Sequence, residues 1–156
     1  MDRTFFGLGA LFALLGVALG AFGAHALRSS LAPSDLATFE TGVRYQLYHS
    51  FALLATAWAF SRWGPGTATV AGWLFVAGIL VFSGSLYVLV LTGQRWMGAI
   101  TPIGGLCFLV AWALLAWTAF KGGWTPSRPP GPCWPRPSVS WCSPGRACRL
   151  NRACRR

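Results

Sequence analysis

Four intervals of this chain carry no charged side chain. They lie between Arg3 and Arg28, Arg44 and Arg62, Arg62 and Arg95, and Arg95 and Lys121, and they hold 24, 17, 32 and 25 residues. At about 1.5 Å of rise per residue, roughly 20 residues cross a hydrocarbon layer of about 30 Å. A segment in that layer has no water for its backbone, so it must close its own hydrogen bonds and is a helix. The intervals predict four transmembrane helices near residues 4–26, 41–61, 67–91 and 97–120, an all-α integral membrane bundle. Composition agrees: 10% of the 156 residues are charged and 54% are hydrophobic, against about 25% charged in a soluble domain.

The first interval has a rival reading as a cleavable signal peptide, because Arg3 gives a positive start and Ala24-His25-Ala26 has the small-x-small cleavage pattern. Its apolar stretch, Phe5 to Gly23, is 19 residues, longer than the about 7 to 15 of a signal sequence. Gly9, Ala13, Gly16, Gly20 and Gly23 also recur at spacings of 4, 3, 4 and 3. That seam of small residues on one face suits close helix packing where lipid offers no hydrophobic drive, so the segment is expected to remain as the first span. Gly84 in the third span and Gly104 and Gly105 in the fourth are expected to serve the same packing.

A net charge of +10 invites a nucleic-acid partner, but the basic residues form no single patch. Residues 1–123 hold six of them against Asp2, Asp35 and Glu40. The other seven, all Arg, lie in 124–156 with seven of the ten Pro and four of the five Cys. The chain thus divides into a hydrophobic body, 1–123, and a basic tail, 124–156, too poor in aliphatic residues for a core and expected to be disordered. Cys133, Cys142, Cys148 and Cys154 are separated by 9, 6 and 6, with no C-x-x-C and no His, a poor zinc pattern. An anionic leaflet is the natural contact of such a tail. Nucleic acid has no warrant beyond charge. Arg3, Arg62 and Lys121 fall on one side of four spans and Arg28, Arg44 and Arg95 on the other, a tie that the tail breaks by placing both termini in the cytoplasm.

The connection from Leu27 to Arg44 carries most of the polar residues. Pro33-Ser34-Asp35 reads as a helix start, with Ser34 able to cap and Asp35 at the positive end of the dipole. Leu36, Phe39, Val43 and Leu47 then form an apolar stripe, opposite Glu40, Thr41, Arg44 and Tyr48. This turn is expected to lie on the membrane surface before the second span descends. His25 ends the first span and His49 begins the second, so one loop would bring both to the same side. Together with Glu40, Arg44 and Tyr48 they are the candidate polar site at the interface. No third ligand has metal spacing, and no metal or cofactor is assigned. Ser83-Gly84-Ser85 and Thr101-Pro102 interrupt the third and fourth spans, which in a transporter can line a path; packing is the simpler use. Tyr45, Tyr48, Trp63, Trp96 and Trp124 fall near span ends as interfacial anchors.

Gly20-Ala-Phe-Gly-Ala-His-Ala-Leu27, the run Phe39 to Leu54, Phe82-Ser-Gly-Ser-Leu-Tyr87 and Gly98-Ala-Ile-Thr-Pro-Ile-Gly-Gly105 together resemble a family of small membrane proteins of unknown function that includes bacterial YgdD and a eukaryotic transmembrane relative. The resemblance covers about residues 1–121. It implies four transmembrane helices and a bacterial inner membrane, brings no established activity, and emphasises His25, Arg44, Tyr48, His49, Ser83 and Pro102. The tail departs from it. The expectation is a multi-pass, non-catalytic accessory or structural component, in contact with lipid and with other membrane proteins or further copies of itself. The alternatives are a small oligomeric transporter or channel using the interfacial site and a haem- or quinone-linked redox subunit. His49 and Ser50 point about 100° apart on a helix and form no catalytic dyad.

Overall fold

Each charge-free interval is helical in the computed structural model, which describes residues 1–121. Helix α1 is Asp2–Leu27, with its last turn, Gly23–Leu27, widened to π geometry. Helix α2 is Pro33–Trp63, and α3 is Thr67–Thr92 with a second π turn at Ile79–Ser83. Helix α4 is Thr101–Lys121, entered through a 3-10 turn at Arg95–Ala99. The bundle is all-helical, and α1, α3 and the segment Arg95–Lys121 are long and apolar enough to cross a membrane. The expected tail at 124–156, with its boundary at 123, its cysteines and Trp124, lies outside the described residues.

Helix α2 departs from the expected span at 41–61. The surface turn and the span are one helix of 31 residues, about 46 Å long. It starts on Pro33, where a missing N–H leaves nothing unsatisfied. The residue before it, Ala32, is extended, and no side chain caps the helix. Ser34, expected as the cap, already lies inside the first turn, and its carbonyl accepts a hydrogen bond from the Thr38 hydroxyl at 2.9 Å. Helix α4 likewise begins at Thr101 rather than 97, with Pro102 opening the helix instead of interrupting it.

Residue numbers rise along one helix and fall along its neighbour. Gly9 lies against Ser50 and Leu53, Gly16 against Leu47, Gly20 against Val43 and Gly23 against Phe39, so α1 and α2 are antiparallel. In the same way Thr67 shares a 2.7 Å hydroxyl hydrogen bond with Thr118, Gly104 lies against Phe82, and the Ser85 and Thr101 hydroxyls meet at 2.8 Å, pairing α3 with α4. The two hairpins join where the Ser83 hydroxyl donates to the Gly42 carbonyl at 2.8 Å. Helix α2 therefore packs against both α1 and α3, although among the described helices it is not one of the three long and apolar enough to cross a membrane.

The glycine seam on α1 packs as expected, and so does Gly104, where a Cβ would stand 2.5 Å from the Phe82 backbone nitrogen. Gly84 and Gly105 do not need their small size. Nothing lies within 4 Å of a Cβ built at Gly84, and one at Gly105 would meet Phe82 at an ordinary 3.9 Å. The reason is angular: residues 100° apart on a helix cannot face one neighbour, and Ser83 turns to α2 and Ser85 to α4 while Gly84 turns to neither. Close approach occurs instead at Gly42, Gly72 and Gly78, against Tyr87, Phe5 and Phe108.

The outside of the bundle is more apolar than parts of its inside. Leu14, Val17 and Leu109 are about two-thirds exposed, while Gln46, Ser50, Thr56 and Ser83 are buried. Lipid tolerates the first and polar pairing between helices explains the second.

Candidate functional site

Helix α2 brings polar groups into the centre of the fold. Its buried face runs Phe39, Val43, Gln46, Ser50, Leu53, Ala57, at helical spacings of three and four, so an amide takes the place of an aliphatic side chain in the middle. Gln46 Nε2 donates to the Phe12 carbonyl of α1 at 2.9 Å, and Gln46 Oε1 accepts from the Tyr87 hydroxyl of α3 at 2.9 Å. A helical carbonyl has a second lone pair for such a donor; the neighbouring Gly16 is needed for Leu47, which a Cβ would meet at 2.8 Å, and not for the amide, which it would meet at an ordinary 3.6 Å. One side chain thus ties three helices.

The five residues expected to share an interfacial site are not gathered. Glu40 and Arg44 do pair, with Nη2 donating to Oε2 at 2.8 Å and both side chains about half exposed. Tyr48 is exposed on the outside of the bundle. His25 is exposed in the last turn of α1, two residues beyond Gly23, which is level with Phe39. His49 lies ten residues past Phe39, about 15 Å further along the axis, so the two histidines sit at different depths. Antiparallel packing causes this: leaving the same loop, the two chains reach equal depth only at equal distance from it. Among the described residues no three His, Cys, Asp or Glu side chains come together as a metal site.

His49 instead enters an aromatic cluster. It is buried, and its ring stacks on Phe108 at 3.4 Å with an interplanar angle of 7°. Tyr45, expected as an anchor at the interface, stacks on Phe82 at 4.5 Å and lies beside His49, a full helical turn away. A carbonyl can only accept, so the 2.8 Å contact between His49 Nδ1 and the Tyr45 carbonyl fixes the proton on Nδ1. No fully buried side-chain nitrogen or oxygen among the described residues lacks a partner. Among the described residues the hydrogen bond of the ring is the one from Nδ1. His49 lines a groove of about 480 Å³ between α2 and α4, bordered by Tyr45, Phe82, Pro102, Gly105 and Trp112. The neighbouring Ser50 hydroxyl donates to the Leu47 carbonyl at 2.7 Å and takes no part.

Neither Gln46 nor Tyr87 stood out in the sequence. The signal for Gln46 was the stripe itself: continued from Phe39 and Val43 at helical spacing, it reaches residues 46, 50 and 53 on the buried face, with 47 half-buried at its edge. Tyr87 could be found only from the partner it meets.

A family model described as "Protein of unknown function (DUF423)" matches residues 19–105. The chain is 45% identical over 120 residues to the UPF0382 membrane protein YwdK of Bacillus subtilis, covering 76% of this chain and 98% of that protein. It is 44% identical over 123 residues to the UPF0382 membrane protein SAB0533 of Staphylococcus aureus, covering 76% and 97%. Identity to the UPF0382 membrane protein SSP2132 of Staphylococcus saprophyticus is 45% over 123 residues, covering 76% and 98%. No solved structure matches.

Proposed function

The chain belongs to the DUF423 family of membrane proteins of unknown function, and from that premise we propose that it is a non-catalytic accessory or structural component of the plasma (inner) membrane, with both termini in the cytoplasm. The observation that carries the reading is where the polar groups at the helix contacts go. Gln46, Tyr87, Ser83, Thr67, Thr118, Ser85 and Thr101 bond helix to helix, which holds a bundle together and leaves these groups engaged. His49 and Ser50 each bond a carbonyl of their own helix, an arrangement that supports a role other than nucleophilic catalysis. The membrane setting follows from the family and from the apolar exterior; bacterial relatives support the plasma membrane. The transporter reading gains little from the separation of His25, Glu40, Arg44, Tyr48 and His49 described above.

The test is purification of the tagged chain from native membranes in mild detergent, with its companions identified by mass spectrometry. A stoichiometric larger complex is the expected result. Solute flux into liposomes containing the purified chain alone, reduced by Arg44→Ala, would overturn the reading. A reporter fused after Lys121 and active only outside the cell would overturn the orientation.

A further inference from the structure

We propose that a groove between the start of α1 and the end of α2 is a binding site for an anionic glycerophospholipid, with the phosphate on Arg3 and an acyl chain laid inward along the two helices. The proposal needs the chain to be in a membrane and takes nothing from its accessory role. The groove has a volume of about 480 Å³, within the range of ligand pockets. Its polarity is ordered along the helix axes. Gly9 lies against Leu53 in the antiparallel pair, so Asp2 and Arg3, which open α1, are level with Ser61 near the end of α2. Phe6 and Gly7 follow on α1, and Ala57 and Leu54 on α2, one to two turns further in and about 6 to 10 Å from the charged end. Helix α1 is long and apolar enough to cross a membrane and begins at Asp2, so the groove runs from the end of that helix inward. A phospholipid has the same order, charge first and hydrocarbon after.

The polar side chains on the border give the sign of the occupant. The Asp2 carboxylate faces the Met1 ammonium at 3.6 Å, and the Ser61 hydroxyl donates to the Trp58 carbonyl at 2.8 Å. There remain Arg3, whose guanidinium has no carboxylate within ion-pair distance among the described residues, and the exposed indole of Trp58. Both are donors only. One uncompensated positive charge with a second donor beside it matches a phosphodiester and the ester carbonyls below it, and a guanidinium holds such an anion through two parallel hydrogen bonds. The ammonium of phosphatidylethanolamine would find Asp2 already neutralised. A soluble phosphate would satisfy Arg3 and leave the apolar floor in water, which costs free energy. Gly7 shapes that floor. Nothing lies within 4 Å of a Cβ built there, whereas Gly9 and Gly16 are pressed against α2, so the absent side chain of Gly7 leaves room in the groove and not between the helices.

The experiment places the full chain in phosphatidylcholine vesicles that contain, at equal mole fraction, either phosphatidylglycerol or phosphatidylethanolamine carrying a diazirine near the ester end of one acyl chain. Photo-adducts are mapped by peptide mass spectrometry. Adducts on the exposed Leu14, Val17 and Leu109 report bulk lipid and calibrate the two probes against each other. After calibration, adducts at Phe6, Gly7 and Leu54 to Trp58 should favour the phosphatidylglycerol probe about fivefold, the factor for one basic side chain beside an anionic lipid. Arg3→Gln should abolish the preference, and Arg3→Lys should keep most of it. Gly7→Leu, which projects into open space, should lower the yield in the groove for both probes. Equal calibrated yields on the unmutated chain would reduce the groove to bulk lipid and overturn the proposal. A preference that survives Arg3→Gln would overturn it as well, and so would competition by millimolar glycerol phosphate, which carries the headgroup charge without an acyl chain.

Discussion

Alanine placed at Gly104 and at Gly84 should shift the stability of the bundle in opposite directions. Both positions are helical, so both substitutions gain about 0.8 to 1 kcal/mol of helix propensity. They differ in what the new methyl group meets. At Gly104 it would stand 2.5 Å from the backbone nitrogen and 2.8 Å from the Cα of Phe82. Backbone cannot rotate out of the way, so α3 and α4 must separate, and overpacking of this kind costs about 1 to 3 kcal/mol. The separation also stretches the hydroxyl contacts between Ser85 and Thr101 and between Thr67 and Thr118, which puts the cost at the upper end and the net loss at about 1 to 2 kcal/mol. At Gly84 nothing lies within 4 Å, and the propensity gain of about 0.8 to 1 kcal/mol stands alone. The assay is unfolding of the purified proteins in dodecyl maltoside by graded sodium dodecyl sulfate, followed by far-ultraviolet circular dichroism. If Gly104→Ala unfolds at or above the midpoint of Gly84→Ala, the account of small residues as sites of backbone contact is wrong.

In the same assay Gln46→Leu should cost about 1 to 2 kcal/mol, because it strands the Tyr87 hydroxyl; adding Tyr87→Phe should restore part of the loss, and strictly additive effects would mean the two do not act as a unit. Ser83→Ala should cost about 0.6 kcal/mol, the usual size of a hydrogen bond between membrane helices, and a change near zero would imply that the Gly42 carbonyl does not use it. Arg44→Ala should move stability by less than about 0.5 kcal/mol because its pair with Glu40 is exposed. For orientation, a membrane-impermeant maleimide applied to intact cells carrying a cysteine-free background should label Ser30→Cys, and should label Pro65→Cys only after permeabilisation; the reverse pattern would invert the topology.

The spans were legible because a bilayer imposes a length and a charge rule at once. Arg3, Arg28, Arg62, Arg95 and Lys121 mark helix ends, and the first and third helices extend to within a residue or two of the expected limits. Pro33 was legible as a helix start, and α2 begins on it; Pro102 was harder, since proline both stops and starts helices and only the chain on either side decides which. The glycines of α1 could be read as packing residues because they repeat on one face, whereas Gly84 could not be told from its neighbours without knowing where α2 and α4 lie. The candidate site suffered most. His25 and His49 are close to one loop in sequence, but antiparallel helices convert unequal distances from that loop into about 18 Å of depth. Tyr45 was placed at the interface by analogy with its type, and its contact with Phe82 arises from a helix whose residue lies 37 positions away.

The concentration of polar groups on α2 also constrains how the protein is made. Gln46 leaves the ribosome with the Phe12 carbonyl already in place, whereas Tyr87 and Ser83 follow about forty residues later. A segment this hydrophilic partitions poorly by itself, and α1 is the element that offers its amide a partner first. The nascent chain must then protect the vacant side of the Gln46 amide until the second hairpin arrives, and a ribosome stalled between the two halves would leave behind an obvious target for membrane quality control.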